Sequence, residues 1–359
     1  MPAFDFPVFR TRVPGAVEAF RLEDPLDRQR YFMAKVGAEI EKLKDYLRAN
    51  TFVAFLLGPK NSGKGTYTKL FMEAVGDERI VHVSVGDVVR SIHRDLEDAA
   101  KREALAAFLR QRYRGFVPME QAFDMITGRD TATLLPTEII LALVEREVMR
   151  AGRRAVFIDG FPRSLDQVSY SLYFRALMGY RDDPDFFVFL DVPETVIGER
   201  MQGRVSCPTC QTPRGLKLLR TNEIGYDRAT GEFFLICDNP QCPDPQRMVA
   251  KEGDELGIEA LRSRIEFDKA VMRKLLELRG VPKVFLRNAV PVAAAADAVD
   301  DYEITPAYRY EWDAAAEQVR VIAEPWIVND DNGVPSYSLL PAAVTVALIK
   351  QTAAVLGLA

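Results

Sequence analysis

No apolar run in this chain reaches the roughly 18–20 residues that a bilayer-crossing helix needs. The most apolar stretch, Leu339 to Ala359, is broken by Pro341 and by Lys350-Gln-Thr. Met1 to Phe9 lacks the basic start and the long apolar centre of a secretory leader. Both absences lead to the expectation of a cytoplasmic protein with no membrane partner. Basic excess is missing too: the net charge is −5 and the isoelectric point about 5.4, so no global field favours nucleic acid. Cysteine is absent outside residues 207–242, where four occur, and none staples the rest of the chain. That distribution suits a reducing compartment and a local metal site. What remains is a soluble, globular composition, 48% hydrophobic and 28% charged over 359 residues, enough for one large domain or a core with attachments.

The most informative stretch is 51–66, Thr-Phe-Val-Ala-Phe-Leu-Leu-Gly-Pro-Lys-Asn-Ser-Gly-Lys-Gly-Thr. Thr51 to Leu57 reads as a strand buried on both faces. Gly58 to Gly63 turns tightly into Lys64, Gly65 and Thr66, and the helix that follows puts Leu70, Phe71, Ala74 and Val75 on one side. Strand, glycine loop, lysine and helix together make a phosphate-binding loop. Backbone N–H groups converge on a phosphate only where no Cβ blocks them, and the helix start adds its positive end. Lys64 supplies a mobile point charge, and Thr66 is the nearest hydroxyl because Gly65 occupies the usual Ser/Thr position.

Further strands are expected at Arg79–Val83, Ala155–Asp159, Phe186–Asp191 and Lys283–Leu286, alternating with helices. Continuous apolar strands in that alternation argue an α/β fold, a parallel sheet with helices on both faces. An amphipathic helix is expected over Asp27–Asn50, with Phe32, Val36, Ile40, Leu43 and Leu47 on its apolar side, and long helices over His93–Arg114 and Glu255–Arg279. Residues 291–359 lie outside this plan. Trp312, Trp326 and the tyrosines 302, 308 and 310 read as core or interface aromatics.

Asp159 closes its strand where a second carboxylate beside a phosphate loop can hold Mg²⁺. Arg90, Arg163, Arg200, Arg204, Arg262 and Arg264 each lie near a strand end or on the helix after one, the edge where a parallel sheet binds ligands. Forked guanidiniums suit the spread charge of a transferring phosphoryl group. The cysteines read Cys207-x2-Cys210-x26-Cys237-x4-Cys242. Two short-spaced pairs across a loop form a tetrahedral Cys₄ zinc pattern, with free structural cysteines or two disulfides as the alternatives.

Gly58 to Thr66, with its Gly-Lys-Gly-Thr ending, resembles the loop of adenylate kinases. Asp159-Gly-Phe-Pro-Arg163 with Gln167, Ser84-Val-Gly-Asp-Val-Val-Arg90, Asp191-Val-Pro-Glu and Glu199-Arg-Met-Gln-Gly-Arg204 resemble further signatures of that nucleoside monophosphate kinase family, in its order, over roughly residues 51–290. The resemblance implies a P-loop three-layer fold as a core over 51–290, with a helical acceptor-binding insertion at about 90–135 and a zinc-stapled lid at about 205–252, flanked by extensions 1–50 and 291–359. It implies ATP bound by Gly58, Asn61, Ser62, Gly63, Lys64, Gly65 and Thr66, with Arg200 against the adenine. The monophosphate would meet Val85, Arg90, Gly160, Arg163 and Gln167. Lys64, Arg163, Arg204 and Arg264 would act on the migrating phosphoryl, Asp87 and Asp159 would support Mg²⁺, and Cys207, Cys210, Cys237 and Cys242 would hold a structural Zn²⁺. The implied activity is transfer of the γ-phosphoryl of ATP to AMP; a monomer is expected, with the extensions as candidates for self-association. The alternatives are a kinase for UMP, CMP or another monophosphate, and a catalytically silent nucleotide sensor. Four departures stand out: Lys60-Asn61 replaces Pro-Gly, Val85 replaces a threonine that touches the acceptor base, the stretch between Arg90 and Leu135 is longer than the family pattern, and Lys251 is the nearest basic residue where a further arginine is expected.

Overall fold

The protein is described from a computed structural model, in which residues 6–13, 15, 18–113, 115, 118, 121, 125, 137–162, 183–210, 212–240, 242–250 and 254–358 are placed. Arg163, Gln167 and Lys251 therefore lie outside the described residues, as does most of the second half of the expected acceptor insertion.

Helix α1 spans Pro25–Ala49. Asp24 caps it by accepting from the Asp27 N–H at 2.9 Å, and Pro25 fits the first turn, where no donor is lost. Its expected apolar side is buried in full. Then follow β1 (Val53–Leu57), α2 (Lys64–Val75), β2 (Ile80–Ser84), α3 (Val85–Asp95) and α4 (Ala99–Arg112). One long helix was expected over 93–114. The chain breaks it because Asp98 accepts from the N–H groups of Ala100 and Lys101 and starts α4 afresh. Next come α5 (Thr137–Ala151), β3 (Ala155–Asp159), β4 (Asp185–Asp191) and α6 (Glu194–Gln202).

Among its described residues the cysteine segment holds short strands: β5 (Arg204–Ser206), β6 (Pro213–Gly215), β7 (Ile224–Asp227), β8 (Glu232–Leu235) and β9 (Val249–Ala250). The helix expected from Glu255 begins instead as a 3₁₀ segment, Asp254–Leu261, in which Gly257 adopts φ +59°. Regular helix α7 runs over Arg262–Leu276, and β10 over Lys283–Arg287.

The five core strands form one parallel sheet in the order β10-β4-β1-β3-β2. Alternate side chains serve two cores. Ala54 and Leu56 of β1 join Phe157, Phe186 and Val188 against α1 and α2, while Val53, Phe55 and Leu57 join Ile158, Phe187 and Phe189 against α5 and α7. The register sets Leu56 beside Asp159, Asp159 beside Ser84 and Arg287 beside Asp191, so the ends of the strands share one edge.

The C-terminal segment adds β11 (Ala289–Pro291), α8 (Val292–Ala298), β12 (Pro306–Asp313), β13 (Gln318–Pro325), β14 (Ile327–Asn329), β15 (Pro335–Ser338) and α9 (Pro341–Val355). It stands outside the alternating plan, yet α9 is apolar nearly all round and buries Val344, Val346, Leu348 and Ile349 in the same core as α1 and α2. Strands β11, β15 and β14 form a small antiparallel sheet. The β12–β13 hairpin lies against the cysteine segment: Tyr308 N–H donates to Lys217 O at 2.8 Å, the Tyr310 hydroxyl to Leu216 O at 2.5 Å, and Trp312 stacks on Tyr226 at 4.8 Å. Trp326 is buried with Val196 and Met201 of α6. Among the described residues no helix is long and apolar enough to cross a membrane.

Candidate active site and cysteine cluster

The loop after β1 is left-handed at Asn61 (φ +65°) and Gly63 (φ +97°), so the asparagine at this position keeps the turn that glycine usually makes. A Cβ on Gly63 would stand 2.9 Å from the Tyr67 ring, and one on Gly58 3.0 Å from both Leu190 Cβ and Ser62 Oγ. The Lys64 ammonium donates to the carbonyls of Gly58 and Pro59 at 2.8 and 2.9 Å and lies 3.7 Å from an Asp159 carboxylate oxygen. Among the described residues, three buried polar atoms around the loop have no protein partner: Asn61 Nδ2, Ser62 Oγ and His82 Nε2. A buried polar atom without a partner costs stability, so this cradle is shaped for a polar ligand.

A cleft of about 210 Å³ opens above the loop. It gathers Gly58, Asn61, Lys64, Arg90, Asp159, Gly160 and Arg264 from the expected set. Arg90 and Asp87, on the first turns of α3, form an ion pair, and Asp87 is 70% exposed and outside the cleft lining. Partial burial would raise the Asp87 carboxyl, but hydrogen bonds from Arg90 and Ser84 outweigh it and hold the group below its ordinary range. Val85 is buried in the apolar core under α3. Thr66 is exposed at the start of α2. Arg200, on the last turn of α6, points Nη2 at Asn288 Oδ1 (3.5 Å), and Arg204 opens β5 opposite Gly215. Neither lines the cleft. Arg262 is drawn to Glu259 and Glu194 and so leaves the group of arginines at the sheet edge.

The four cysteines are free thiols with all Sγ atoms within 4.8 Å of one another. Cys207 and Cys242 are 3.8 Å apart and Cys210 and Cys237 3.6 Å, far beyond a disulfide bond and close to the ~3.8 Å edge of a tetrahedron with 2.3 Å zinc–sulfur bonds. Burial pushes the Cys242 thiol up to about 12, while hydrogen bonding with Thr212 brings Cys210 down to about 5. Four soft donors in this arrangement fit a closed structural zinc ion with no vacancy for water.

A family model described as an AAA domain matches residues 57–208. The chain is 30% identical over 186 residues to an adenylate kinase of Syntrophomonas wolfei, covering 51% of this chain and 74% of that protein. The chain belongs to the nucleoside monophosphate kinase family. It is also 28% identical over 200 residues to an adenylate kinase of Hydrogenobaculum (56% of this chain, 77% of that protein). A probable UMP-CMP kinase 2 of Arabidopsis thaliana is 26% identical over 213 residues (57% and 70%).

The family implies magnesium, which asks for hard oxygen donors. In this nucleoside monophosphate kinase Asp159 offers one beside Lys64, and the second carboxylate in the cleft lining is Asp268, on α7 one turn after Arg264. Those oxygens fit a hydrated Mg²⁺ next to a phosphate chain. Burial pushes the Asp268 carboxyl above its ordinary range, Asp159 adds to that, and Lys64, Arg264 and the Lys60 N–H oppose it. Sequence reasoning did not single out Asp268, although its spacing of four from Arg264 puts both on one helix face. His82 was missed as well. Burial lowers its pKa against the pull of Asp159 and Asp87, and the only hint was a polar residue inside an apolar strand.

Proposed function

We propose that the protein transfers the γ-phosphoryl of ATP to a nucleoside monophosphate, with AMP as the preferred acceptor. The observation that carries the reading is the convergence of Lys64, Asp159, Arg90 and Arg264 on one cleft beside a phosphate loop. The loop amides and Lys64 bind the β- and γ-phosphates of the donor, and Arg200 lies against its adenine. Arg90 and Arg163 hold the acceptor phosphate, with Gln167 on its base. An acceptor oxygen bonds to the γ-phosphorus as the bond to the β–γ bridging oxygen breaks, and ADP leaves with that electron pair. The acceptor is already an anion, so no general base is needed, and catalysis is positioning and charge neutralisation. Lys64, released from Gly58 and Pro59, follows the charge, while Arg204 and Arg264 neutralise the equatorial oxygens. Asp159, with Asp87 or Asp268, would hold Mg²⁺, which would supply further neutralisation of the phosphate charge. Cys207, Cys210, Cys237 and Cys242 would hold a structural Zn²⁺ that stiffens this segment as a lid, whose closure would exclude competing water.

Val85 favours a second acceptor, UMP or CMP, because an apolar residue in the core offers no hydroxyl to an adenine. A parallel assay with ATP·Mg²⁺ against AMP, UMP, CMP, GMP and dTMP decides between them. Preference for AMP supports the first reading, preference for a pyrimidine the second, and ATP binding without transfer a silent sensor. Lys64→Ala should lower transfer by at least about 10²-fold with an unchanged melting temperature. Activity near the parental level would remove the donor-site assignment.

A further inference from the structure

We propose that Asn288 is a positioning residue for the donor base, set in place by Ser338 and Leu339 of the C-terminal segment. The inference rests on the assignment of Arg200 to the donor adenine. Asn288 lies between β10 and β11, is 1% exposed, and uses every polar site of its side chain. Nδ2 donates to the Tyr67 hydroxyl oxygen at 3.2 Å and to the Leu339 carbonyl at 3.1 Å. Oδ1 accepts from the Ser338 hydroxyl at 2.9 Å and from Arg200 Nη2 at 3.5 Å, the long limit of such a bond. A carbonyl only accepts, so Leu339 fixes which end of the amide is nitrogen, and the oxygen must face Arg200. The backbone is tied in the same way: Asn288 N–H donates to Asp191 O at 3.0 Å, and Leu339 N–H to Asn288 O at 2.8 Å.

A guanidinium reads a base only while its plane is held, and an arginine side chain carries about 2 kcal/mol of rotamer entropy that holding must overcome. A buried, saturated amide is a fixed acceptor and lowers that cost at the moment of binding. The same amide reaches the phosphate loop, because its partner Tyr67 is wholly buried with its ring under Gly63. Ser338 and Leu339 thus act on both ends of the donor, the base through Arg200 and the phosphates through Tyr67. The C-terminal segment is then part of the donor site.

The test measures KM for ATP, KM for the preferred acceptor, kcat and the ATP-over-GTP preference, with melting temperatures, for Asn288→Ala, Ser338→Ala and Arg200→Ala in the full chain. Asn288→Ala should raise KM for ATP about three- to tenfold and narrow the ATP-over-GTP preference, and Ser338→Ala should do the same about two- to threefold. The acceptor KM should stay within twofold or so of the parent in both. Ser338→Ala keeps the amide and only loosens it, so it decides the matter should Asn288→Ala fail to fold. If Arg200→Ala shows the donor signature while the other two variants shift only the melting temperature, the positioning role is overturned and the donor assignment stands. If Arg200→Ala leaves ATP affinity and base preference intact, the donor assignment itself fails and takes the proposal with it.

Discussion

Asp191 ends β4 in the middle of a mixed charge cluster supplied by α7, β10 and the turn between β14 and β15. Burial first, then Asp331, pushes its carboxyl from 3.8 to about 6, against the pull of Arg287 and Lys269. A raised carboxyl pKa favours the neutral form in the folded state. Its contribution to stability is present below the unfolded value near 4 and is lost as pH rises through about 6, on the order of 3 kcal/mol in full. Asp191→Asn should therefore match the parent near pH 4 and exceed it in melting temperature by pH 7. A difference that stays flat across that range would show that the cluster compensates the charge completely. Residue-scale legibility divides along the same physical line. Lys64, Asp159 and the cysteines could be read from sequence because neighbouring residues fix their backbone or spacing. Asp268 and Asn288 could not, since each acquires its role from residues far away in the chain: Lys64 for one, Ser338 and Leu339 for the other.

The cysteine segment is an element that its own apolar contacts hold weakly. Its cluster is small, Cys207, Leu235, Cys237, Cys242 and Met248 with a few half-buried neighbours, and three of those five are the thiols themselves. Zinc on the four proposed ligands would complete this core, and its removal would leave buried thiols that close none. Chelation is thus expected to expose residues 205–250 to protease and to lower kcat more than ATP affinity, while the parallel sheet keeps its melting transition. Resistance to protease after chelation would mean that the β12–β13 hairpin, through Trp312 on Tyr226, suffices to order the cysteine segment. Strands and the first helix were legible at this scale because their apolar periods are regular. The two helix breaks were not: Asp98 acts by bonding local amides, and Gly257 by one left-handed residue, and neither disturbs the hydrophobic pattern.

The segments before β1 and after β10 pack into the same core as the parallel sheet. Glu303, fully buried, accepts from the Thr11 and Tyr31 hydroxyls at 2.6 and 2.5 Å, and the Lys35 ammonium donates to the Thr11 carbonyl at 2.9 Å and pairs with Asp300. Helix α9 fills the sheet face beside α1 and α2. Leu348→Ala should cost about 2–5 kcal/mol of global stability in urea titration and leave the KM values of the folded enzyme unchanged. A cost under about 1 kcal/mol would show that α9 is only loosely docked. The sequence showed an apolar stretch at 339–359 but not its docking face, because a helix that is apolar all round has no stripe to indicate which side meets the core.

That docking joins helices from opposite ends of the described chain, and its effect falls on folding rate more than on equilibrium. The entropy of closing so long a loop grows only as about (3/2)RT ln n, a modest charge on stability. Search time is affected far more, because non-local contacts must form before the sheet face is covered. Until α9 arrives, the β1 face of the sheet with Phe52, Phe157 and Phe186 has lost part of its cover. During refolding that open aromatic face is where one molecule would stick to another.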